Sequence, residues 1–240
     1  MNELVSVIIA SYNRYDLLLN AIESVKTQTY PNIEIIVIDD GSTDNRYKDT
    51  LDGINIINLD NQNSRKVLGY PSCGYVRNFG FKIAKGKYIA ILDDDDYWLA
   101  TKIEKQVKIL VETKLLLTCT ESFISHSNIS SNTVVINLKL YNREYWWSAL
   151  KKKLNLENDF TNIIDTVLIN KHNCIICSSV LFDRKLFELI GYMAPVRNWK
   201  GTNGVYQDWD YWKKTIQYSN IYYIKEALMI YYHNDTKYYC

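Results

Sequence analysis

Apolar residues cluster into short unbroken runs near the start of the chain, with helically spaced apolar positions between them. Val5-Ser6-Val7-Ile8-Ile9-Ala10 predicts a central strand over 5–10. Leu17, Leu18, Ala21, Ile22 and Val25 then recur on one face, which predicts an amphipathic helix over 16–27, broken by Tyr30-Pro31. A second buried strand is expected over 33–38, ending in Asp39-Asp40-Gly41-Ser42. A short helix over 43–51 and a strand over 54–59 complete the alternation. Strand and helix in turn predict a parallel sheet with right-handed crossovers.

The polar stretch 60–74, punctuated by glycine and proline, reads as a loop and a candidate lid. A helix over 76–85 should stop at Gly86. The five apolar residues 88–92 predict a strand buried on both faces. Ile103, Val107, Leu110 and Val111 mark another helix, and a strand is expected over 115–120. Beyond this come a polar turn (126–133), a strand (134–138) and a helix (143–154) bearing Tyr145, Trp146 and Trp147. A strand (175–182), a helix ended by Gly191 (184–190), a glycine-bearing loop (198–206) and a helix (208–218) follow. Two apolar runs, 221–224 and 228–232, finish the pattern. With no repeat and no linker, 1–240 reads as one domain whose second half is a smaller lobe on the same sheet.

The chemistry concentrates after the 88–92 strand, where Asp93, Asp94, Asp95 and Asp96 precede Tyr97 and Trp98. Most charge runs are solvated turns. A solvated turn, however, needs neither a buried strand before it nor an aromatic pair after it. Carboxylates this close repel unless a cation intervenes, and the carboxyl end of such a strand is where open α/β sheets bind ligands. Oxygen ligands of this kind suit Mg²⁺ or Mn²⁺, taken up with substrate phosphates.

Composition narrows the classes. A net charge of +1 gives no nucleic-acid footprint. No apolar run approaches the ~18 residues of a membrane span, and Met1-Asn2-Glu3 does not begin a signal peptide. The expectation is therefore a cytoplasmic protein, at most peripheral to a membrane. Five scattered cysteines argue against a disulfide framework, and Cys174-x-x-Cys177 lacks the second pair a zinc site needs.

Four segments in order, 5–14, 37–44, 77–86 and the Leu-Asp-Asp-Asp-Asp-Tyr-Trp run at 92–98, resemble the family 2 glycosyltransferases. The resemblance implies the GT-A fold: an α/β, Rossmann-like, mostly parallel sheet flanked by helices. It implies a nucleotide-sugar half at 1–112 and an acceptor and catalytic-base half at 113–240. Tyr12 then resembles the residue packed on the nucleotide base, and Asp40 the carboxylate hydrogen-bonded to it. Asp39 instead steadies the turn. Ser11, Arg14, Arg77, Asp93 and Asp94 would complete the nucleotide site. The D-x-D motif maps onto Asp93 and Asp95, with Asp95 on Mn²⁺ or Mg²⁺ and Asp93 on the ribose or a metal-bound water. Gln207-Asp208-Trp209-Asp210 stands where inverting members carry a Glu-Asp pattern. Asp208 is the implied general base and Asp210 the reserve, while a helix N-cap is the plain alternative for Asp208. His233 falls where some GT-A enzymes place a histidine near the metal, though a lone histidine is also a structural residue.

The implied reaction is metal-dependent, inverting transfer of a sugar, UDP-linked by preference, to the hydroxyl of a carbohydrate or glycoconjugate in glycan synthesis. A non-catalytic nucleotide-sugar-binding module is the alternative from outside enzymology. A sugar nucleotidyltransferase would want a glycine-rich first loop, and this one is Ser-Tyr-Asn-Arg. A dehalogenase-type phosphatase would want threonine where Tyr97 stands.

Overall fold

The computed structural model describes residues 2–48, 54–127, 138–141, 143–155, 157, 160–196 and 207–233. Strand β1 (Val5–Ser11) is buried along its whole length and pairs in parallel with β2 (Ile33–Asp39) and β4 (Tyr88–Asp93). β3 (Ile54–Asn58) extends the parallel sheet beyond β2. Side-chain alternation divides these strands between two cores. Val5, Val7 and Ile9 of β1 join Val37 and Leu92 in a core against α1 (Tyr15–Lys26) and α4 (Lys102–Thr113). Ile8, Ala10, Ile36 and Ile91 face the opposite core. That core is closed by Phe81 of α3 (Cys73–Ile83), Leu186 of α7 (Arg184–Ile190) and Tyr211 and Trp212 of α8 (Gln207–Thr215).

The second half of the chain continues the same sheet. β9 (Leu181–Asp183) runs antiparallel between β4 and β6 (Leu117–Ser125). β10 (Ile221–Tyr232) pairs in parallel with β6 and antiparallel with the two-residue strand β5 (Tyr97–Trp98). Short strands β7 (Lys139–Leu140) and β8 (Ile163–Ile164) flank β6 and β10. α5 (Arg143–Leu154) and α6 (Thr166–Lys171) complete this side.

Several expectations change in detail. The stretch 60–74 is not a loop. After a 3-10 turn at Asp60–Gln62 it forms α2 (Ser64–Leu68), whose first turn is capped when the Lys66 N–H donates to Asn63. A five-residue helix is too short to show a period, so its polar composition hid it. The run 175–182 is interrupted by a 3-10 turn at Cys177–Ser179, where the Ser179 hydroxyl donates to the Ile176 carbonyl in place of a ladder bond. The two terminal apolar runs are one strand: register shifts between Ile224 and Ile230 leave Lys225 and Glu226 exposed in its middle. The 208–218 helix ends at Thr215. The 43–51 helix is a 3-10 turn at Asn45–Lys48 as far as it is described. The 198–206 loop, the strand residues 134–137 and most of the 126–133 turn lie outside the described residues.

Candidate active site

The site forms at the carboxyl ends of β1, β2 and β4, where the sheet's polar residues converge. β4 ends at Asp93, and the turn it enters is pinned from three sides. The Asp93 N–H donates to Ser178 Oγ at 2.9 Å. The Ser11 hydroxyl donates to Asp94 at 2.7 Å. From β10, the Tyr232 N–H donates to Asp96 at 2.9 Å. The acidic run is thus not a solvated turn: Asp94 and Asp96 are each only 2% exposed. Burial raises both carboxyls above the ordinary range, Asp96 well above it. For Asp95, burial and then the charge of Asp94 push the carboxyl up to about 7, against the opposing pull of Arg14.

Two arginines answer this charge. Arg14 reaches Asp94 at 3.1 Å and Asp95 at 2.8 Å. Arg77, on α3 and almost fully buried, pairs with Asp93, and its field also acts on Asp208 and Cys177. Its Nε finds no hydrogen-bond partner among the described residues. Arg77 engages Oδ1 of Asp93 and Arg14 engages Oδ2 of Asp95. No group of three or more His, Cys, Asp or Glu among the described residues could cage a metal unaided. One or two carboxylates completed by substrate phosphates is the ordinary arrangement for Mg²⁺, and Asp93 with Asp95 fits it.

At the end of β2, Asp39 accepts from the Ser42 N–H (2.9 Å) and from the Asn58 amide (2.6 Å). It steadies the turn in which Gly41 adopts φ 79°, a conformation glycine takes without strain. Asp40 is fully buried and its oxygens are engaged: Ser64 N–H at 2.6 Å, Ser64 hydroxyl at 2.5 Å and Arg65 at 2.8 Å. These contacts hold α2 against the site. They also lay the Arg65 guanidinium over the Tyr12 ring, 3.6 Å from its centroid. Ser64, Arg65 and Tyr47, whose hydroxyl lies 2.5 Å from Ser11 Oγ, were not foreseen. Their partners are 24, 25 and 36 positions away, beyond any local pattern.

Asp208 lies in the first turn of α8, inside the helix rather than at its cap, since the helix begins at Gln207. Its carboxylate accepts from the Trp209 N–H (2.8 Å) and from the Asn173 amide (3.0 Å). Burial raises its affinity for a proton, more than these bonds and Arg77 lower it. A desolvated carboxylate in the field of Arg77 can accept a proton from a hydroxyl. The neighbours in its motif do other work. Gln207 is buried and accepts from the Gly74 N–H at the start of α3, tying α8 to α3. Asp210 pairs with Lys214 at 2.8 Å along the helix. His233 is exposed and lies edge-on to His126, with its N–H donating to the Ser125 carbonyl. Cys174, Cys177 and Cys119 are free thiols, while Cys73 is in a disulfide.

The Glycosyl transferase family 2 model matches residues 6–190. The chain is 37% identical over 190 residues to the Escherichia coli UDP-Glc:alpha-D-GlcNAc-diphosphoundecaprenol beta-1,3-glucosyltransferase WfaP, covering 76% of this chain and 61% of that one. It is 34% identical over 130 residues to the putative teichuronic acid biosynthesis glycosyltransferase TuaG of Bacillus subtilis, covering 52% and 47%. The chain therefore spans about three-fifths or less of the length of these relatives. Among solved structures, S. aureus TarS superposes with a TM-score of 0.65 at 16% identity, covering 95% of this chain and 36% of that one. The mannosyltransferase PcManGT from Pyrobaculum calidifontis, in complex with GDP-Man and Mn²⁺, gives 0.64 at 16%, covering 96% and 57%. By the extent of the family match and the shared architecture, the chain belongs to glycosyl transferase family 2 and has the GT-A fold.

Proposed function

We propose that this chain transfers a sugar from a UDP-sugar to an acceptor hydroxyl with inversion at the anomeric carbon. Residues 1–112 would hold the donor, and 113–240 the acceptor and the base. The observation that carries the reading is the link through Arg77, which pairs with Asp93 of the acidic turn while its field reaches Asp208 on α8. This link supports a reading in which donor-side carboxylates and a desolvated base act together. The acceptor hydroxyl loses its proton to Asp208, its oxygen attacks the anomeric carbon, and the nucleoside diphosphate departs. Asn173 holds the Asp208 carboxylate in position through its amide. Tyr12 and Arg14 would line the nucleotide end, with Arg65 beside Tyr12, while the buried Asp40 and Ser11 would hold that end in place through Arg65 and Asp94. A Mn²⁺ or Mg²⁺ held by Asp95 and Asp93, when bound, neutralises charge on the leaving diphosphate.

The printed name of WfaP gives a UDP-Glc donor and a diphosphoundecaprenol-linked GlcNAc acceptor, and one TarS structure contains UDP-GlcNAc. A lipid-borne acceptor of that kind would bring this chain to a membrane surface from the aqueous side. Among the described residues no helix is long and apolar enough to cross. The test is NMR of the product formed from UDP-glucose or UDP-GlcNAc with a GlcNAc-diphosphate-alkyl acceptor and Mn²⁺. A β-linked product from the α-linked donor is expected. Retention of configuration, or donor bound with no sugar transferred, would overturn the reading.

A further inference from the structure

Helix α5 buries Arg143 and Trp147 and turns a chemically unusual face outward. Tyr145, Trp146, Ala149, Lys152 and Lys153 are all exposed. Tyr145, Ala149 and Lys152 follow the spacing of one helix face, and Trp146 and Lys153 stand beside them two turns apart. The outward face is therefore aromatic in its first turn and basic in its last.

Exposed aromatic rings side by side are the first anomaly. Tyr145 is 69% exposed and Trp146 54%, and Leu140 of β7, just before the helix, is 46% exposed. Single apolar residues scattered over a surface need no explanation, but these fall in one short stretch of chain. The lysines are the second anomaly. Elsewhere on the surface Lys105 pairs with Glu226 at 2.6 Å and Lys214 with Asp210 at 2.8 Å. Lys152 and Lys153 have no carboxylate partner among the described residues. Glu144, the one acidic residue of α5, lies 3.7 Å from Lys225 of β10. With Lys139 of β7 also exposed, positive charge gathers here on a chain whose net charge is only +1.

The helix dipole accounts for lysines in a last turn, but not for exposed aromatics in the first. An anionic bilayer answers both. Tryptophan and tyrosine rings settle at the level of lipid headgroups, and lysine side chains on the same face reach the lipid phosphates.

We propose that the outward face of α5, continued by Lys139 and Leu140 of β7, docks this chain on an anionic lipid bilayer. Tyr145 and Trp146 enter the headgroup layer, and Lys152 and Lys153 meet lipid phosphates. Trp146 lines the same cleft as Asn173, whose amide holds Asp208, so the docking face lies on the side of the proposed base. Presentation of a lipid-borne acceptor on that side rests on the transferase reading; the docking does not.

The test is co-sedimentation of the full chain with vesicles of phosphatidylcholine, alone or mixed with phosphatidylglycerol, at low and high salt. Binding to the mixed vesicles is expected, weakening as salt screens the lysines. Replacing both lysines, Lys152→Ser with Lys153→Ser, should weaken it about tenfold or more, since each lysine near an anionic surface contributes about fivefold. Tyr145→Ser with Trp146→Ser should weaken it similarly and reduce the quenching of tryptophan fluorescence by bromine-labelled lipid. All four residues are exposed, so an unchanged melting temperature separates lost docking from lost folding. No binding to mixed vesicles, equal binding to phosphatidylcholine alone, or unchanged binding in either double variant would overturn the docking face. Parallel titration with UDP and Mn²⁺ keeps the readings apart. Both double variants should bind UDP as the parent does, and a chain that binds vesicles but no UDP would overturn the transferase reading alone.

Discussion

Replacing Asp208 with asparagine changes one oxygen to an amide and removes the proposed base while leaving the helix intact. Asp208 accepts two hydrogen bonds, from the Trp209 N–H and the Asn173 amide, and asparagine keeps a single acceptor oxygen for both. The lost bond costs about 1 kcal/mol. Against this, burial raises the carboxyl of Asp208 above its unfolded-state value, so its ionisation works against folding. That penalty is absent at acid pH and grows as pH rises from the unfolded value through the folded one. The stability of the variant relative to the parent should therefore increase from acid to neutral pH, and its melting temperature at pH 7 should fall by a few degrees at most. Activity should behave very differently. Loss of a general base lowers transfer about 10²–10⁴-fold, equivalent to about 3–5 kcal/mol of barrier. The parent's rate should rise through an acid limb lying above the ordinary aspartate range, and Asp208→Asn should lose that limb. The assay is UDP release coupled to product detection between pH 4 and 9 (roughly the span of a shifted carboxyl), beside calorimetric UDP binding. Transfer at the parental rate, or an unchanged acid limb, would refute the assignment.

Other predictions are more local. Tyr12→Ala should weaken UDP by about 1–3 kcal/mol if a base stacks on that ring, read as a Kd increase by calorimetry with the melting temperature preserved. Gly80→Ala places a methyl 2.4 Å from Ile8 Cγ2, forcing α3 off β1. Urea unfolding should show a loss of about 1–3 kcal/mol. Arg77→Met leaves Asp93 without its buried partner, so stability should drop by about 2 kcal/mol, a figure reduced because Asp93 is 31% exposed. Transfer should fall in Arg77→Met beyond any effect of unfolding, measured well below its melting temperature.

The parallel half of the fold was readable because each piece had a long enough pattern. β1, β2, β4 and α1 lie within a residue or so of the ranges their apolar spacing predicts. The acidic run was legible as a candidate site because its carboxylates follow a doubly buried strand. What was hidden depended on distance along the chain. Only the fold reveals that Ser64 and Arg65 serve Asp40, that Asn173 holds Asp208, or that Tyr232 reaches Asp96 across 136 positions. α2 escaped notice because one and a half turns carry no period, and β10 looked like two strands because its bulge puts two charges in solvent. From sequence, Asp208 read as the base by resemblance, with a helix N-cap as the alternative. The structure places it inside α8 with burial raising its carboxyl, and the base role remains the proposal tested by Asp208→Asn.

The donor site at the acidic turn is the centre of this account, and titration calorimetry tests it most directly. UDP, GDP and dTDP would each be titrated into the parent and into Asp95→Ala, with and without Mn²⁺. The account predicts that UDP binds in the presence of Mn²⁺ and that this binding is lost in Asp95→Ala. Binding of no nucleotide under either condition, or Mn²⁺-dependent binding that survives without the Asp95 carboxylate, would contradict it.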